Sequence, residues 1–224
     1  MRAVTAPRLS SIEPFEDASA GPAVRGFLHR PAGPPGRGLV LTHGAGSDCE
    51  APLLLAVAGA FARAGFTVLR CDLPFRQARA VGPPSPTGAA RDRVGLRRAV
   101  GALQSLVRGH VSLAGHSYGG RQASLLLAEE PGLAEALLLL SYPLHPPRRP
   151  DQWRTGHFPA LRTPALFVHG SRDPFGSLCE LSGAMRLIPA PTALVSVDEA
   201  GHDLARGSAP LTPIVEAFSG LLRA

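Results

Sequence analysis

The sequence predicts an α/β fold in which a mostly parallel central sheet is flanked by helices on both faces. Short apolar, strand-like runs alternate with amphipathic segments of helical length along most of the 224 residues. Several of the runs end in a glycine-rich or polar turn, and repeated alternation of this kind is typical of strand–helix–strand units in a parallel sheet. The length suits a single domain over 1–224 with a substantial buried core.

The first half of the chain is expected to open irregularly and then to alternate strands with a helix. The segments in order are an edge strand and loop over 1–22, a strand at 23–29, a strand at 39–42, a helix through 54–61 with apolar residues at i, i+3, i+4 and i+7, and a strand at 66–71. The stretch 76–90 is rich in Gly, Pro and Ala. Its composition predicts a mobile surface loop, with a domain boundary as the alternative.

The second half continues the alternation to the end of the chain. The segments in order are a helix at 96–107, a strand at 111–114, a helix through 120–127, strands at 134–140, 165–168 and 195–197, and an amphipathic helix over 214–222. The strand at 111–114 stops abruptly in a Gly-x-Ser-x-Gly pattern at 115–119. The remaining motifs also follow predicted strands, so they are expected at one edge of the sheet.

The Gly-x-Ser-x-Gly pattern makes Ser117 the candidate nucleophile. In a nucleophile elbow the serine occupies a strained turn between a strand and a helix, and flanking glycines let neighbouring backbone approach without a clashing Cβ. Gly115 and Gly119 occupy those two positions. The pattern alone is common, and an ordinary turn serine is the alternative, but the strand before it and the helix after it favour the elbow.

A nucleophilic serine needs a base and an acid that orients that base. Asp173 follows the strand at 165–168, and His202 follows the strand at 195–197, so both are expected at the carboxyl edge of the sheet with Ser117. Asp173 could instead cap the turn before a proline, and His202 could be a surface-loop histidine. The rival acids are Asp151, Asp198, Glu199 and Asp203, and the rival histidines are His43, His116, His145 and His169.

The reaction also needs donors for the negative charge that develops on the carbonyl oxygen. The glycine-rich loop at 43–46 follows a predicted strand and offers the N–H of Ala45. The second donor is expected to be the N–H of Tyr118, which directly follows the nucleophile and begins the next helix.

Together these motifs resemble a small serine α/β-hydrolase over nearly the whole chain. The residues that carry the resemblance are 115–119, the His43-Gly44 loop, Gly-Ser-Arg-Asp at 170–173 and Gly201-His202. More narrowly, 141–145 and 69–75 are similar to a dienelactone-hydrolase-like branch related to the testis-expressed hydrolase-like proteins of animals. The dienelactone hydrolases proper carry cysteine where this chain has Ser117, so their enol-lactone specificity is not carried over.

The resemblance implies an α/β-hydrolase fold with no large cap domain. Only about twenty residues, 142–162, separate two predicted strands at the point where many lipases and epoxide hydrolases insert a helical lid. The expected result is an open cleft that suits small or exposed acyl groups. The residues expected to border this cleft and bind substrate are Phe75, Tyr142, His145 and Trp153.

Composition narrows the partners and the location. The net charge is +6 and the sequence pI is about 10.4. The chain has no lysine, and its arginines are scattered except for short pairs such as Arg97-Arg98 and Arg148-Arg149, so nucleic-acid binding is not predicted. Three widely spaced cysteines favour a reducing cytoplasm over a disulfide framework, and no signal peptide or membrane span is recognisable. The histidines show no metal-ligand spacing. The expected partner is a small-molecule acyl substrate, with no cofactor, metal, nucleic acid or membrane.

The sequence therefore predicts a cytoplasmic serine hydrolase that cleaves a small or exposed carboxylic ester or thioester through an acyl-enzyme. Peptide, lactone or perhydrolytic chemistry in the same pocket is one alternative. A non-catalytic, hydrolase-shaped interaction module is another, because a fold does not by itself determine a function.

Overall fold

A computed structural model describes residues 9–34, 36–204 and 211–223 of the chain. The strands are β1 Leu9–Asp17, β2 Val24–Pro31, β3 Gly38–Thr42, β4 Thr67–Cys71, β5 Val111–His116, β6 Leu137–Leu140, β7 Ala165–Gly170 and β8 Thr192–Val197. They form one eight-stranded sheet in the order β1-β2-β4-β3-β5-β6-β7-β8. The pairs from β4 to β8 are parallel, and only β1 and β2 are antiparallel to their neighbours.

Six described helices cover the two faces of this sheet. They are α1 Pro52–Arg63, α2 Pro74–Ala78, α3 Ala89–Gln104, α4 Tyr118–Glu129, α5 Leu178–Met185 and α6 Leu211–Leu221, with 3-10 turns at Pro86–Gly88 and Phe158–Ala160. Among the helices in the described ranges, none combines the length and the hydropathy that crossing a bilayer requires. The predicted mostly parallel sheet with helices on both faces is confirmed.

The central strands are apolar throughout because helices bury both of their faces. Every residue of β3, β4, β6 and β7 is buried. On one face, side chains such as Leu113 and Leu139 pack with α3, α4 and α5. On the other face, Leu41 and Leu138 pack with α1 and α6, where Phe61 and Phe218 meet edge to face. These two apolar layers hold the sheet rigidly between the helices.

The register of the parallel strands brings their carboxyl ends to one edge of the sheet. Thr42 pairs with Gly115, His116 with Leu140, and Gly170 with Val197. The segments that follow β3, β5, β7 and β8 therefore leave the sheet side by side. These are the segments that carry the candidate site residues.

The edge strand expected within 1–22 is the nine-residue strand β1, whose Glu13 and Glu16 pair with Arg30 and Arg25 of β2. Two other segments differ from the sequence-based expectation. The expected loop 76–90 includes the end of α2, a 3-10 turn and the start of α3. The helix α5 has no counterpart in the predicted elements, although Ser177 and Glu180 form a capping box at its start.

Candidate active site

Ser117 lies at the turn between β5 and α4 with a backbone conformation that L-residues rarely adopt. Its φ is 49° and its ψ is −114°. The Ser117 N–H donates to the carbonyl of Leu140 at 2.9 Å, and the Ser117 carbonyl accepts from the N–H of Arg121 at 2.9 Å. Strand and helix therefore hold both ends of the strained turn, which projects the hydroxyl away from the sheet edge.

The two glycines of the motif permit close backbone contacts that any side chain would block. A Cβ on Gly115 would collide with the backbone of Gly120, one turn into the helix. A Cβ on Gly119 would lie 2.5 Å from the carbonyl oxygen of His43. The first glycine lets α4 pack against β5, and the second lets α4 approach the loop that follows β3.

His202 accepts a short hydrogen bond from the hydroxyl group of Ser117. Its Nε2 lies 2.7 Å from Ser117 Oγ, and its Nδ1 lies 2.8 Å from Asp173 Oδ2. Because a carboxylate only accepts, Nδ1 carries the ring proton and Nε2 is free to act as an acceptor. The ring of Phe175 stacks on the imidazole with 4.1 Å between centroids.

Asp173 is held as firmly as the histidine that it contacts. The residue is 7% exposed, and its second oxygen, Oδ1, accepts from the N–H of Phe175 at 2.9 Å. Glu199, one of the rival acids, instead pairs with Arg172 at the surface. The structure thus brings together Ser117, His202 and Asp173 in one hydrogen-bonded chain.

Two of the rival histidines, His116 and His43, make hydrogen bonds that hold segments around the site in place. His116 Nε2 donates to the carbonyl of His202 at 2.9 Å, and burial lowers the pKa of His116. His43 is fully buried and accepts from the N–H of Leu73 at 3.1 Å, and burial also lowers its pKa. Both rings are therefore neutral supports for the loops around Ser117.

The expected oxyanion donors both lie at the cleft that Ser117 opens into. Ala45 and Tyr118 line this cleft together with Ser117. A Cβ on Gly44 would be 3.4 Å from Ser117 Cβ, so the loop after β3 passes directly beside the nucleophile. The N–H of Tyr118 is the first of α4, and the first N–H groups of a helix have no intrahelical acceptor.

The buried carboxylate of Asp92, which the sequence did not point out, positions Tyr118. The hydroxyl of Tyr118 donates to Asp92 Oδ2 at 2.7 Å, and the N–H of Phe75 donates to Oδ1 at 3.0 Å. Asp92 is fully buried, and burial raises its pKa. Only the tertiary fold brings α3 against the start of α4, so no local pattern could reveal this contact.

The cleft beside Ser117 has a volume of about 790 Å³. Residues of the connection between α2 and α3 form one wall, and α4 forms another. The lining is apolar at Pro83, Pro84, Pro86, Ala89, Ala90, Leu125, Pro143 and Phe175, and it is cationic at Arg93, Arg121 and Arg154. Between β6 and β7 the described helical structure is one 3-10 turn, so no large cap covers this opening.

The residues expected to border the cleft do not line it. Tyr142 is fully buried between Phe158 and Phe167, where its large ring gains more from burial than from exposure at the rim. Phe75 and His145 are also buried, and Trp153 is exposed but lies outside the cleft lining. This expectation is corrected: the cleft is lined by Pro143, Arg154 and Phe175 among others, and by none of these four residues.

Comparisons with known proteins agree with this architecture. Residues 35–210 match the family model described as an alpha/beta hydrolase domain. Dienelactone hydrolase from Anabaena variabilis is 21% identical, with 98% of each chain covered and a TM-score of 0.72. Est1E from Butyrivibrio proteoclasticus is 16% identical, with 96% of this chain and 100% of that one covered and a TM-score of 0.76. An alpha-beta serine hydrolase homologue from Coxiella burnetii is 17% identical, with 94% of this chain and 96% of that one covered and a TM-score of 0.64.

Proposed function

Because the chain belongs to the alpha/beta hydrolase domain family, we propose that it is a serine hydrolase that cleaves a carboxylic ester or thioester through an acyl-enzyme on Ser117. The observation that carries the proposal is the continuous chain of hydrogen bonds from Ser117 through His202 to Asp173, 2.7 and 2.8 Å long. A serine hydroxyl is a poor nucleophile until an adjacent base accepts its proton.

In the first half of the reaction Ser117 Oγ attacks the carbonyl carbon of the substrate while His202 Nε2 takes the hydroxyl proton. The imidazolium then donates this proton to the departing alcohol or thiol, and the acyl group stays on Oγ. Asp173 keeps the Nδ1 proton in place and stabilises the positive ring. In the second half water attacks the acyl carbon, gives its proton to Nε2, and releases the acid.

The tetrahedral intermediates place a negative charge on the former carbonyl oxygen. The N–H groups of Ala45 and Tyr118 are the proposed donors to this oxygen, and the positive end of α4 adds to their effect. Removing one such donor typically lowers kcat by about 100- to 1,000-fold.

The cleft supports a small or exposed acyl group as the substrate. No large cap covers Ser117, and the apolar part of the cleft wall is formed mainly by proline and alanine side chains. One solved relative is named as a dienelactone hydrolase, and a lactone is an internal ester, so its name agrees with ester chemistry. The nucleophile of this chain is serine, and the physiological ester is proposed only as a class.

A fluorophosphonate probe tests the nucleophile directly. We expect the purified protein to be labelled stoichiometrically and the Ser117→Ala variant to remain unlabelled. A matched control is Ser124→Ala, which changes a serine on the same helix that is bonded to His157 rather than to His202. An unlabelled native protein would favour a non-catalytic interaction module, and labelling of the Ser117→Ala variant would exclude Ser117 as the nucleophile.

The acyl preference is measured with p-nitrophenyl esters of increasing chain length. An uncapped cleft offers no enclosed tunnel to bury a long chain, so kcat/KM is expected to be higher for acetate and butyrate than for dodecanoate. The unreactive Ser117→Ala variant supplies the background rate. A strong preference for the dodecanoate ester would contradict the assignment of small or exposed acyl groups.

A further inference from the structure

Two arginines in the wall of the cleft have no role in the mechanism above. Arg121 follows Ser117 by four residues on α4, and Arg154 comes from the segment between β6 and β7. Both line the cleft together with Ser117. The backbone of Arg154 is fixed at both ends, since its N–H donates to the carbonyl of Leu144 at 2.7 Å and its carbonyl accepts from the hydroxyl of Tyr142 at 2.6 Å.

Neither guanidinium has a carboxylate partner within the described residues. The Nε–H of Arg121 is buried and has no hydrogen-bond acceptor there. Arg93 lines the same cleft and provides a contrast, because its Nε donates to Glu129 at 3.1 Å and its Nη1 donates to Gln122 at 3.1 Å. A buried donor without an acceptor is unfavourable in a folded protein and requires an explanation, such as a bound water, ion or ligand.

The positive charge of Arg121 acts on Arg154 and on a neighbouring histidine. Burial lowers the pKa of Arg154, and the charge of Arg121 lowers it further. Burial, followed by the charge of Arg121, lowers the pKa of His157 to about 4, so this ring is neutral near pH 7 and adds no charge of its own. Two like charges that line the same cleft attract an anion into it.

We propose that Arg121 and Arg154 form an anion subsite, so that the preferred substrate is an ester or thioester that carries a carboxylate at the far end of a short apolar chain. A guanidinium binds a carboxylate through two parallel hydrogen bonds, which gives both affinity and orientation. Four residues along a helix span about 6 Å, so the guanidinium of Arg121 reaches an anion whose ester carbonyl lies at Ser117. The apolar side chains of Leu125 and Pro143 line the cleft for the chain in between.

This subsite rests on the proposed hydrolase function, and a pair of matched esters tests it. Mono-4-nitrophenyl adipate and 4-nitrophenyl hexanoate share the six-carbon acyl chain and the leaving group, but only the adipate carries a terminal carboxylate. We expect the native protein to have the higher kcat/KM for the adipate half ester. Arg121→Gln and Arg154→Gln should each lower this kcat/KM by about 10- to 100-fold, as expected for the loss of a hydrogen bond to a charged group.

The matched controls distinguish specific binding of the terminal carboxylate from a general effect of the positive charge of the cleft. Hydrolysis of the hexanoate ester should change little in either variant, which also shows that each variant is folded. Arg93→Gln removes a cleft arginine that already has a carboxylate partner, so it should leave the ratio of the two kcat/KM values close to that of the native protein. Arg121→Lys keeps the charge without the planar guanidinium. Its ratio of the two kcat/KM values should therefore lie between those of the native protein and Arg121→Gln.

Equilibrium binding distinguishes failure of the subsite from failure of the proposed function. Titration calorimetry of adipate with the Ser117→Ala variant should show binding that Arg121→Gln or Arg154→Gln weakens. Such binding would support the subsite even where neither ester is hydrolysed, an outcome that would refute only the hydrolase proposal. A protein that hydrolyses the hexanoate ester, shows no preference for the adipate half ester and does not bind adipate would overturn the subsite.

Discussion

At the scale of single residues, the conformation of Ser117 concentrates strain where the proposed chemistry takes place. A non-glycine residue at φ 49° and ψ −114° costs about 1–3 kcal/mol and persists only where its surroundings impose that conformation. Here the hydrogen bonds to Leu140 and Arg121 impose it. The strained turn places Oγ 2.7 Å from His202 Nε2 before any substrate binds. The geometry needed for proton transfer is therefore built into the folded chain.

Replacing the carboxylate behind His202 tests this preorganisation. We expect Asp173→Asn to lower the esterase kcat by about 10,000-fold, because an amide no longer favours the tautomer that leaves Nε2 free. The rate is measured with p-nitrophenyl acetate, and circular dichroism checks that the variant folds. Glu199→Gln, three residues before His202, is the control and should keep the native rate. A loss of activity in Glu199→Gln with none in Asp173→Asn would reverse the assignment of the acid.

Arg76 is a second residue whose importance only the structure reveals. Its guanidinium donates to the carbonyls of Ala45 at 2.9 Å, Ser47 at 2.9 Å and Ala80 at 2.6 Å. The residue is 8% exposed. A single side chain therefore ties the loop that carries a proposed oxyanion donor to the segment that forms one wall of the cleft.

Arg76→Met should loosen both segments while filling most of the volume of the side chain. Leaving these carbonyls without the Arg76 donors is expected to lower the free energy of unfolding by about 1–3 kcal/mol, measured by urea denaturation. Displacement of Ala45 should lower kcat by up to about 100-fold, at the lower end of the effect of removing an oxyanion donor. Arg79→Gln, which changes an exposed arginine bonded to Pro83, should change neither quantity by much. Native kcat in Arg76→Met would show that the loop is positioned without it.

At the scale of elements, α4 unites several parts of the site. Its first residue, Tyr118, follows the nucleophile directly, and its next turn carries Arg121 toward the cleft. Gly119 allows the helix to approach the loop after β3, and Ala45 of that loop and Tyr118 of the helix line the same cleft. The placement of α4 against this loop therefore controls the geometry of the site more than any single side chain does.

Gly119→Ala tests this contact between helix and loop. The added Cβ would lie 2.5 Å from His43 O and 2.7 Å from Thr42 Cγ2, so α4 must shift. We expect a loss of about 1–3 kcal/mol in the free energy of unfolding, together with a fall in kcat. Gly101→Ala is the matched helical control on α3, where a Cβ meets no atom within 4 Å, and it should stabilise the protein by about 0.5–1 kcal/mol. Equal effects of the two substitutions would contradict the close contact at Gly119.

At the scale of the whole molecule, the parallel sheet is what assembles the site. Ser117, Asp173 and His202 are separated by 56 and 29 residues along the chain, yet each follows a parallel strand. Because the carboxyl ends of these strands share one edge, the segments after them meet there. The two apolar layers on either side of the sheet keep this edge rigid. The same packing therefore stabilises the fold and holds the site residues in place.

The stability of the fold should fall as the pH is lowered from about 6.5 to 4. Burial, followed by the charge of Arg70, lowers the pKa of His29 to about 4, and the pKa of His157 is lowered to the same value. In this pH window the unfolded chain binds protons that the folded protein excludes, so the free energy of unfolding rises with pH. Each histidine contributes a slope of at most about 1.4 kcal/mol per pH unit.

Urea denaturation at several pH values measures this slope. His29→Gln removes one titrating group and keeps an acceptor for the Nε–H of Arg70, which donates to His29 Nε2 at 2.7 Å in the native protein. The slope of the unfolding free energy between pH 6.5 and 4 should fall by up to about 1.4 kcal/mol per pH unit, which corresponds to one bound proton. A slope that is unchanged in His29→Gln would show that His29 does not contribute to the acid sensitivity.

Local signals predicted the parts of the fold that lie in the centre of the sheet. Strands such as β3 and β7 are recognisable because burial on both faces requires an unbroken apolar run. The start of β8 and the whole of β1 were less clear, because edge strands are partly exposed and tolerate polar residues. The only local sequence feature that indicates the short helix α5 is the capping box at its start. One capping box is too weak to predict a helix on its own.

The sequence by itself determined the alternation of strands and helices, the elbow around Ser117 and the order Ser, Asp, His, because each of these depends on neighbours along the chain. Only the tertiary structure decided which side chains form the cleft. It buried Tyr142 in the core, and it brought Arg121 and Arg154 into the lining of one cleft without a carboxylate partner among the described residues. Contacts between distant segments depend on the packing of the whole chain, and no local pattern encodes them.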